Sequence, residues 1–339
     1  MSGPRSPVRA TAIAATLTGL LIATVVIGYF NVGAVLGAMR PIGVLGFLAV
    51  AGAQLVVYAP LGLAWWLVTR REPVRRIGGL AWASAIAEAA TNVLPFSQLG
   101  GVVMANRAAV LAGLSPARAF GSNVVDISME LAAQLVYTLV GVVLLAHHLG
   151  LDGRHDPLLA PIAGSLTLAA GLVGGFIAGQ GRGLKLVKRL LHALVPGVDS
   201  QAAAVTHVIE SAYRRPRRLW ASFGVHVVAW FTAAGGTWLI LAFIGRPLPI
   251  ASVVAIESLL FAIRNAAFVA PAGLGVQEGA YVLLGPIFGL PPEAALALSL
   301  LKRARDLAIG VPMLISWQVV ESRRSLRAAA EPGRGGAGE

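Results

Sequence analysis

Residues 113–132 read GLSPARAFGSNVVDISMELA, and residues 289–308 read GLPPEAALALSLLKRARDLA. Set 176 positions apart, the two stretches register without a gap: Gly113 meets Gly289, Leu114 meets Leu290, Pro116 meets Pro292, and Leu131-Ala132 meets Leu307-Ala308. The same offset, extended outward, pairs Arg70 with Arg246, Pro73 with Pro249 and Pro95 with Pro271. Three of the five prolines between 41 and 146 thus land on prolines, although only 19 of the 339 residues are proline. The chain reads as two copies of one unit: a span, a proline-broken pair of shorter segments, the turn Gly-Leu-x-Pro, and a further span.

Composition says what those spans cross. Mean hydropathy is +0.77, 57% of residues are hydrophobic and 12% are charged, against about 25% charged in a soluble domain. The chain is therefore expected to be an all-α polytopic membrane protein, because apolar runs long enough to cross a bilayer recur along its whole length. The candidate spans are 10–30, 42–68, 116–146, 158–179, 219–245 and 292–320. The first follows Arg5 and Arg9, yet it exceeds the ~7–15-residue apolar core of a signal peptide. It reads as a retained helix. Cysteine is absent, which removes disulfides and thiolate metal sites.

Between the full spans lie two shorter pairs, 77–94 with 96–113 and 250–270 with 272–289, broken at Pro95 and Pro271. Proline lacks the donor a helix interior needs, so each pair bends there. An arm of 18 residues reaches about 27 Å, borderline for a hydrocarbon core of about 30 Å. Re-entrant hairpins are expected, with the tips FSQLGG, containing Gly100 and Gly101, and AGLGVQEG, containing Gly273 and Gly275, at membrane depth. Irregular backbone is tolerated there only under protein or water, and glycine suits close packing. The resulting divisions are an N-terminal span within 1–40, unit one at 41–147, a linking span and basic segment at 148–216, unit two at 217–321, and a low-complexity tail at 322–339, expected to be disordered and cytosolic.

Positive charge orients the chain. With a cytoplasmic N-terminus, nineteen of the 27 basic residues fall on inner segments and three, Arg40, Arg154 and Arg246, on outer ones. Inner loops carry the Lys/Arg excess, so both termini are expected inside and the two units run in opposite senses. Segment 181–218, with Lys185, Lys188, Arg189 and the run YRRPRR, reads as an amphipathic stretch on anionic inner-leaflet lipid rather than a nucleic-acid site. Trp65, Trp66, Trp220 and Trp317 fall where an inner aromatic belt would lie.

Eleven charges sit inside apolar segments: Arg107, Arg264, Lys302, Arg303 and Arg305, with Glu88, Asp126, Glu130, Glu257, Glu278 and Asp306. Each costs ~2.5–3.5 kcal/mol at mid-bilayer, so the set demands partners and a wet or headgroup-filled cavity. At the 176 offset Glu88 matches Arg264 and Asp126 matches Lys302. Asp126 and Glu130 share one helix face, as do Lys302 and Asp306, and these faces are expected to meet. Interlocking salt bridges between the halves are the bland alternative. The loop GQGRGLK, 179–185, lacks the Lys-Ser/Thr ending of a phosphate loop and reads as a linker. His147, His148, Asp152, His155 and Asp156 read as a solvated loop rather than a metal site, and His226 as a packed polar residue. No metal or cofactor is expected.

The segments NVLPFSQLGG with Arg107 and GLSPARA, then VAPAGLGVQEG and GLPPEAALALSLLKRARD, resemble the membrane domain of the lysylphosphatidylglycerol synthase/flippase family. They are also similar to the hopanoid-biosynthesis-associated membrane proteins of that superfamily. The resemblance covers nearly the whole chain, and its most specific piece is P-x-G-L-G-V-x-E, Pro271 to Glu278. It implies translocation or binding of a membrane lipid. Family members with synthase activity add a cytosolic aminoacyl-transfer domain; this sequence ends at Glu339, so the flippase half alone, without enzymatic activity, is expected.

The expectation is a flippase of the bacterial inner membrane moving a phospholipid, aminoacylated lipid or hopanoid. Arg107, Arg264, Lys302, Arg303 and Arg305 would attract the headgroup, while Glu88, Asp126, Glu130, Glu278 and Asp306 pair them or carry coupling protons. A proton-coupled exporter of small solutes, and a scaffold that recruits lipid-biosynthetic enzymes through 181–218, are the alternatives. The lipid, the direction and the oligomeric state stay open at this point.

Overall fold

The computed structural model describes residue 37 and residues 39–69, 72–93, 97–150, 199–266 and 275–330. The candidate spans 10–30 and 158–179, the loop 179–185, Pro95, Pro271 and Gly273, and the tail from 331 lie outside the described residues. Every regular element described is helical. A 3-10 turn, Arg40–Ile42, leads into α1 (Gly43–Val68), followed by α2 (Arg76–Val93), α3 (Ser97–Leu111) and α4 (Pro116–His148). Then come α5 (Asp199–Tyr213), α6 (Pro216–Phe243), α7 (Ile250–Ala266), α8 (Val276–Leu284) and α9 (Pro292–Ala330).

Among the described residues three helical stretches are long and apolar enough to cross a membrane: Arg40–Val68, Pro116–His148 and Pro216–Phe243. They match three of the spans expected from sequence. At 39 residues α9 is about 58 Å long and runs ten residues past the expected end at 320. Its cluster Lys302, Arg303, Arg305 and Asp306 keeps it out of the apolar set.

Local chemistry explains the helix boundaries. Gly113 and Gly289 adopt positive φ, +100° and +79°, which glycine tolerates without a Cβ penalty. Each closes the preceding helical turn in the same way. Leu114 N–H donates to Ala109 O at 3.0 Å and Leu290 N–H to Gly285 O at 2.9 Å, each five residues back, as in a Schellman ending. Pro116 and Pro292 then open α4 and α9, where a missing N–H costs nothing.

Two apolar cores occupy opposite ends of α1. Trp65 and Val68, near its C-terminus, pack with Leu80, Ile86, Ala105 and Ala109 of α2 and α3. Ile42 and Val50, at its N-terminal end, pack with Ile256, Leu260, Tyr281 and Leu298 of α7, α8 and α9. The α2–α3 pair is antiparallel and close: a Cβ on Gly79 would lie 2.8 Å from Ala112 Cβ, and one on Gly101 would lie 2.3 Å from Thr91 Oγ1. Arg76 Nη1 donates to Ala112 O across its open end.

Each hairpin leans on a helix of the other half, α2 on α9 and α7 on α4. Small residues allow it, as is usual where helices meet without a hydrophobic driving force. A Cβ on Gly310 would come 2.7 Å from Val93, and one on Gly141 would come 1.6 Å from Ser258 Oγ. Leu45, Val44 and Leu283, by contrast, point outward, all more than 70% exposed.

Two expectations from sequence are revised. Trp65 is 1% exposed and donates from Nε1 to Ser122 Oγ at 2.9 Å, so it is core rather than belt. Trp220, 70% exposed, and Trp66, with the Arg218 guanidinium 5.6 Å from its ring, remain at the rim. Within 181–218, α5 turns its apolar residues Ile209 and Ala212 into the protein. The fit is tight, since a Cβ on Gly121 of α4 would lie 2.9 Å from Val208.

Candidate functional site

Between the two hairpins lies a cavity of about 350 Å³ walled by α1, α2, α3, α4, α6, α7 and α9. Of the residues singled out from sequence, Glu88, Asp126, Glu130, Arg264, Lys302, Arg305, Asp306 and Gly101 line it. The hairpins meet there: Arg264, near the end of α7, donates from Nη2 to Asn92 Oδ1, near the end of α2, at 3.0 Å.

Three of these charges, Lys302, Arg305 and Asp306, are neutralised in place, Lys302 by Glu257 and the other two by each other. Lys302 Nζ donates to Glu257 Oε2 at 2.6 Å, to Tyr281 OH at 2.7 Å and to Thr237 Oγ1 at 3.2 Å. Tyr281 OH donates to the other oxygen of Glu257. This knot ties α6, α7, α8 and α9 together, with Glu257 1% exposed. Arg305 folds back onto its neighbour Asp306 through Nε at 2.9 Å and Nη2 at 2.7 Å. Asp126 Oδ1 lies 3.0 Å from His226 Nε2. The face carrying Asp126 and Glu130 and the face carrying Lys302 and Asp306 therefore share a cavity, but their expected direct contact is replaced by these other partners.

Three charged groups are left without an ionic partner among the described residues. Glu88 accepts only the Gln54 amide, at 3.3 Å. Glu130 has no hydrogen bond from a described residue. Arg264 is held by the side-chain amides of Asn92 and Gln277, the latter at 3.4 Å, with its guanidinium 5.9 Å from the Phe261 ring. A guanidinium facing a cavity with only neutral acceptors can take an incoming anion.

The remaining candidates stand apart. Arg303 pairs with Glu278, Nε to Oε1 at 2.9 Å, and the second oxygen of Glu278 accepts the Gly275 N–H at 2.9 Å. The P-x-G-L-G-V-x-E motif thus ends in a carboxylate that caps α8 and fixes it to α9. Gly275, at φ +77°, takes a conformation that favours glycine. Gly100 sits in α3 beside the cavity-lining Gly101. Arg107 does not line the cavity; its side chain is 45% exposed and forms a two-point pair with Glu321 of α9. That contact holds the Glu321 carboxyl below the usual carboxylate range. His148 leaves the expected polar loop to meet Ile287 O at 2.8 Å, while Asp152, His155 and Asp156 lie outside the described residues.

Sequence reasoning assigned no role to Glu257, Tyr281 or Asn92 and read His226 as packing. Only Glu257 carried a signal, as an acid inside an apolar run.

The family model described as lysylphosphatidylglycerol synthase TM region matches residues 16–313. Comparison with curated proteins and with solved structures finds no match.

Proposed function

The chain belongs to the lysylphosphatidylglycerol synthase membrane-region family, and from that premise we propose that it is a lipid carrier that moves a polar-headed lipid between the leaflets of a bacterial inner membrane. It acts as a carrier and not as an enzyme. The observation that carries the reading is the cavity itself, a charged chamber reached by both hairpins within a bundle whose outer surface is apolar. A headgroup crossing the membrane needs polar groups at depth, while its acyl chains stay in lipid.

The architecture behind it is an inverted repeat, α1–α4 against α6–α9, of the kind that places transport sites at the midplane beside broken helices. Support comes from the two cores at opposite ends of α1, the matched turns at Gly113 and Gly289, and the reciprocal packing of each hairpin on the other half. Arg75, Arg76, Arg118, Arg214, Arg215, Arg217 and Arg218 belong to the end at which the α2–α3 pair opens, where α1 and α9 finish, and Arg40 and Arg246 to the other, so the first end, and with it both termini, faces the cytoplasm. The basic cluster there meets anionic inner-leaflet lipid.

Within the cavity Arg264 receives the headgroup anion, because it is the cation whose neighbours are amides. Substituting Arg264→Ala removes a charge-assisted contact worth about 1.5–3 kcal/mol and slows leaflet exchange of fluorescent phospholipid in reconstituted vesicles by about tenfold or more. An unchanged exchange rate in folded R264A protein overturns this assignment, and solute-dependent fluxes without lipid redistribution favour an exporter instead.

A further inference from the structure

The cavity wall carries more carboxyl groups than permanent cations. Among the described residues its wall has five carboxylates, Glu88, Asp126, Glu130, Glu257 and Asp306, against three permanent cations, Arg264, Lys302 and Arg305. Residues 94–96 and 267–274, which join the hairpin arms, contain no charged residue. With every carboxyl ionised the excess is two negative charges, which is costly at membrane depth and is relieved by taking up protons or other positive charge.

One side chain is built to accept it. His226 is 1% exposed and lines the cavity. Its Nε2 faces Asp126 Oδ1 at 3.0 Å; an ionised carboxylate only accepts, so Nε2 carries the hydrogen. The other ring nitrogen, Nδ1, is buried with no hydrogen-bond partner among the described residues. In the neutral imidazole it is a bare lone pair. The charged groups facing His226 are Asp126 and Glu130, both from α4.

Those facing Glu88 are Asp306 and Arg305 from α9, Arg264 from α7 and Glu130 from α4, and α1 brings Tyr58 beside it. Glu257 is committed to Lys302 and Asp306 to Arg305. The surplus therefore falls on Glu88, Asp126 and Glu130, with His226 in contact with Asp126 and near Glu130. Histidine is the side chain that gains and loses a proton near neutral pH.

We propose that Asp126, His226 and Glu130 form a proton site through which lipid movement is coupled to the proton gradient. A proton adds to Nδ1 while Nε2–H stays on Asp126, giving an imidazolium paired with Asp126 and near Glu130, and halving the excess charge. On the return, once a side-chain movement brings Nδ1 within reach of the Glu130 carboxylate or of cavity water, the proton passes there and Nδ1 is again a lone pair. The inference rests on the lipid-carrier reading above and supplies its energy source.

The test is the steady-state leaflet distribution of tail-labelled phosphatidylethanolamine and phosphatidylglycerol in proteoliposomes under an imposed pH gradient, with the membrane potential clamped. At one proton per lipid, one pH unit drives up to about a tenfold leaflet ratio. The wild type is expected to develop that asymmetry, and His226→Gln to lose it. Glu130→Gln, whose carboxylate has no hydrogen bond from a described residue, keeps the packing of α4 and is also expected to lose the asymmetry. Lipids that cross but stay evenly distributed in the wild type overturn the coupling and leave the carrier standing; an asymmetry retained in either variant overturns this site; failure of both lipids to cross overturns the carrier reading and the coupling with it.

Discussion

Lys302→Met is the most informative single substitution. The Lys302 side chain is 7% exposed and its ammonium holds Glu257, Tyr281 and Thr237 at 2.6, 2.7 and 3.2 Å. Methionine fills similar space with a flexible apolar chain, so the change removes charge rather than volume. Among the described residues Glu257 then keeps the Tyr281 hydroxyl alone. Leaving one member of a buried ion pair uncompensated costs about 3–5 kcal/mol, and at about 2 °C per kcal/mol for a chain of this size the unfolding midpoint falls by about 6–10 °C. Intrinsic tryptophan fluorescence during heating in detergent reads the loss. The double variant K302M/E257Q removes both charges together, and buried pairs replaced by neutral groups are often no less stable. Its midpoint is expected to recover most of the way, with a coupling of at least about 2 kcal/mol. If K302M melts with the wild type, or the double variant melts no higher than the single one, Lys302 is not the fastener between α7, α8 and α9, and it returns to the headgroup-binding set.

Gly62→Ala forces a Cβ to within 2.5 Å of the Ala81 backbone nitrogen, so α1 and α2 must part; a loss of about 1–3 kcal/mol is expected in the same melting assay, whereas Gly52→Ala, with nothing within 4 Å, is expected to cost nothing. Glu278→Ala removes the α8 cap and the Arg303 pair together; a loss of about 3 kcal/mol and faster amide exchange over residues 275–284 check it. Arg107→Ala breaks an exposed pair, worth no more than about 1 kcal/mol, and leaves leaflet exchange at the wild-type rate because Arg107 lies outside the cavity.

The boundaries of the helices were legible because they rest on local chemistry. A proline can open a helix, a glycine can close one, and Gly113, Pro116, Gly289 and Pro292 announce both. The charged residues of the cavity were legible as a set, since eleven charges in apolar runs have few other uses. Their partners were not. Periodicity places Lys302 and Asp306 on one face, but whether that face meets Asp126 or Glu257 depends on how α9 sits against α4 and α7, which no repeat within one helix encodes. Glu257 is 45 positions from Lys302, and His226 is 100 from Asp126. The place of Arg107 was hidden for a related reason: it lies in an apolar run, but α9 continues far enough to bring Glu321 alongside it, outside the cavity. The apolar face of α5 fits a membrane surface and a groove on α4 equally well on pattern alone, and packing settled the choice.

The most direct test of opposed halves uses the absence of cysteine in the native chain. Val74 and Ile250 occupy equivalent positions at the start of the two hairpins, 66% and 53% exposed. Single cysteines placed at each, treated with a membrane-impermeant maleimide in intact cells and in inverted vesicles, are predicted to label from opposite sides, position 74 from the cytoplasm and position 250 from outside. Labelling of both from the same side contradicts the inverted repeat and the cavity reading built on it.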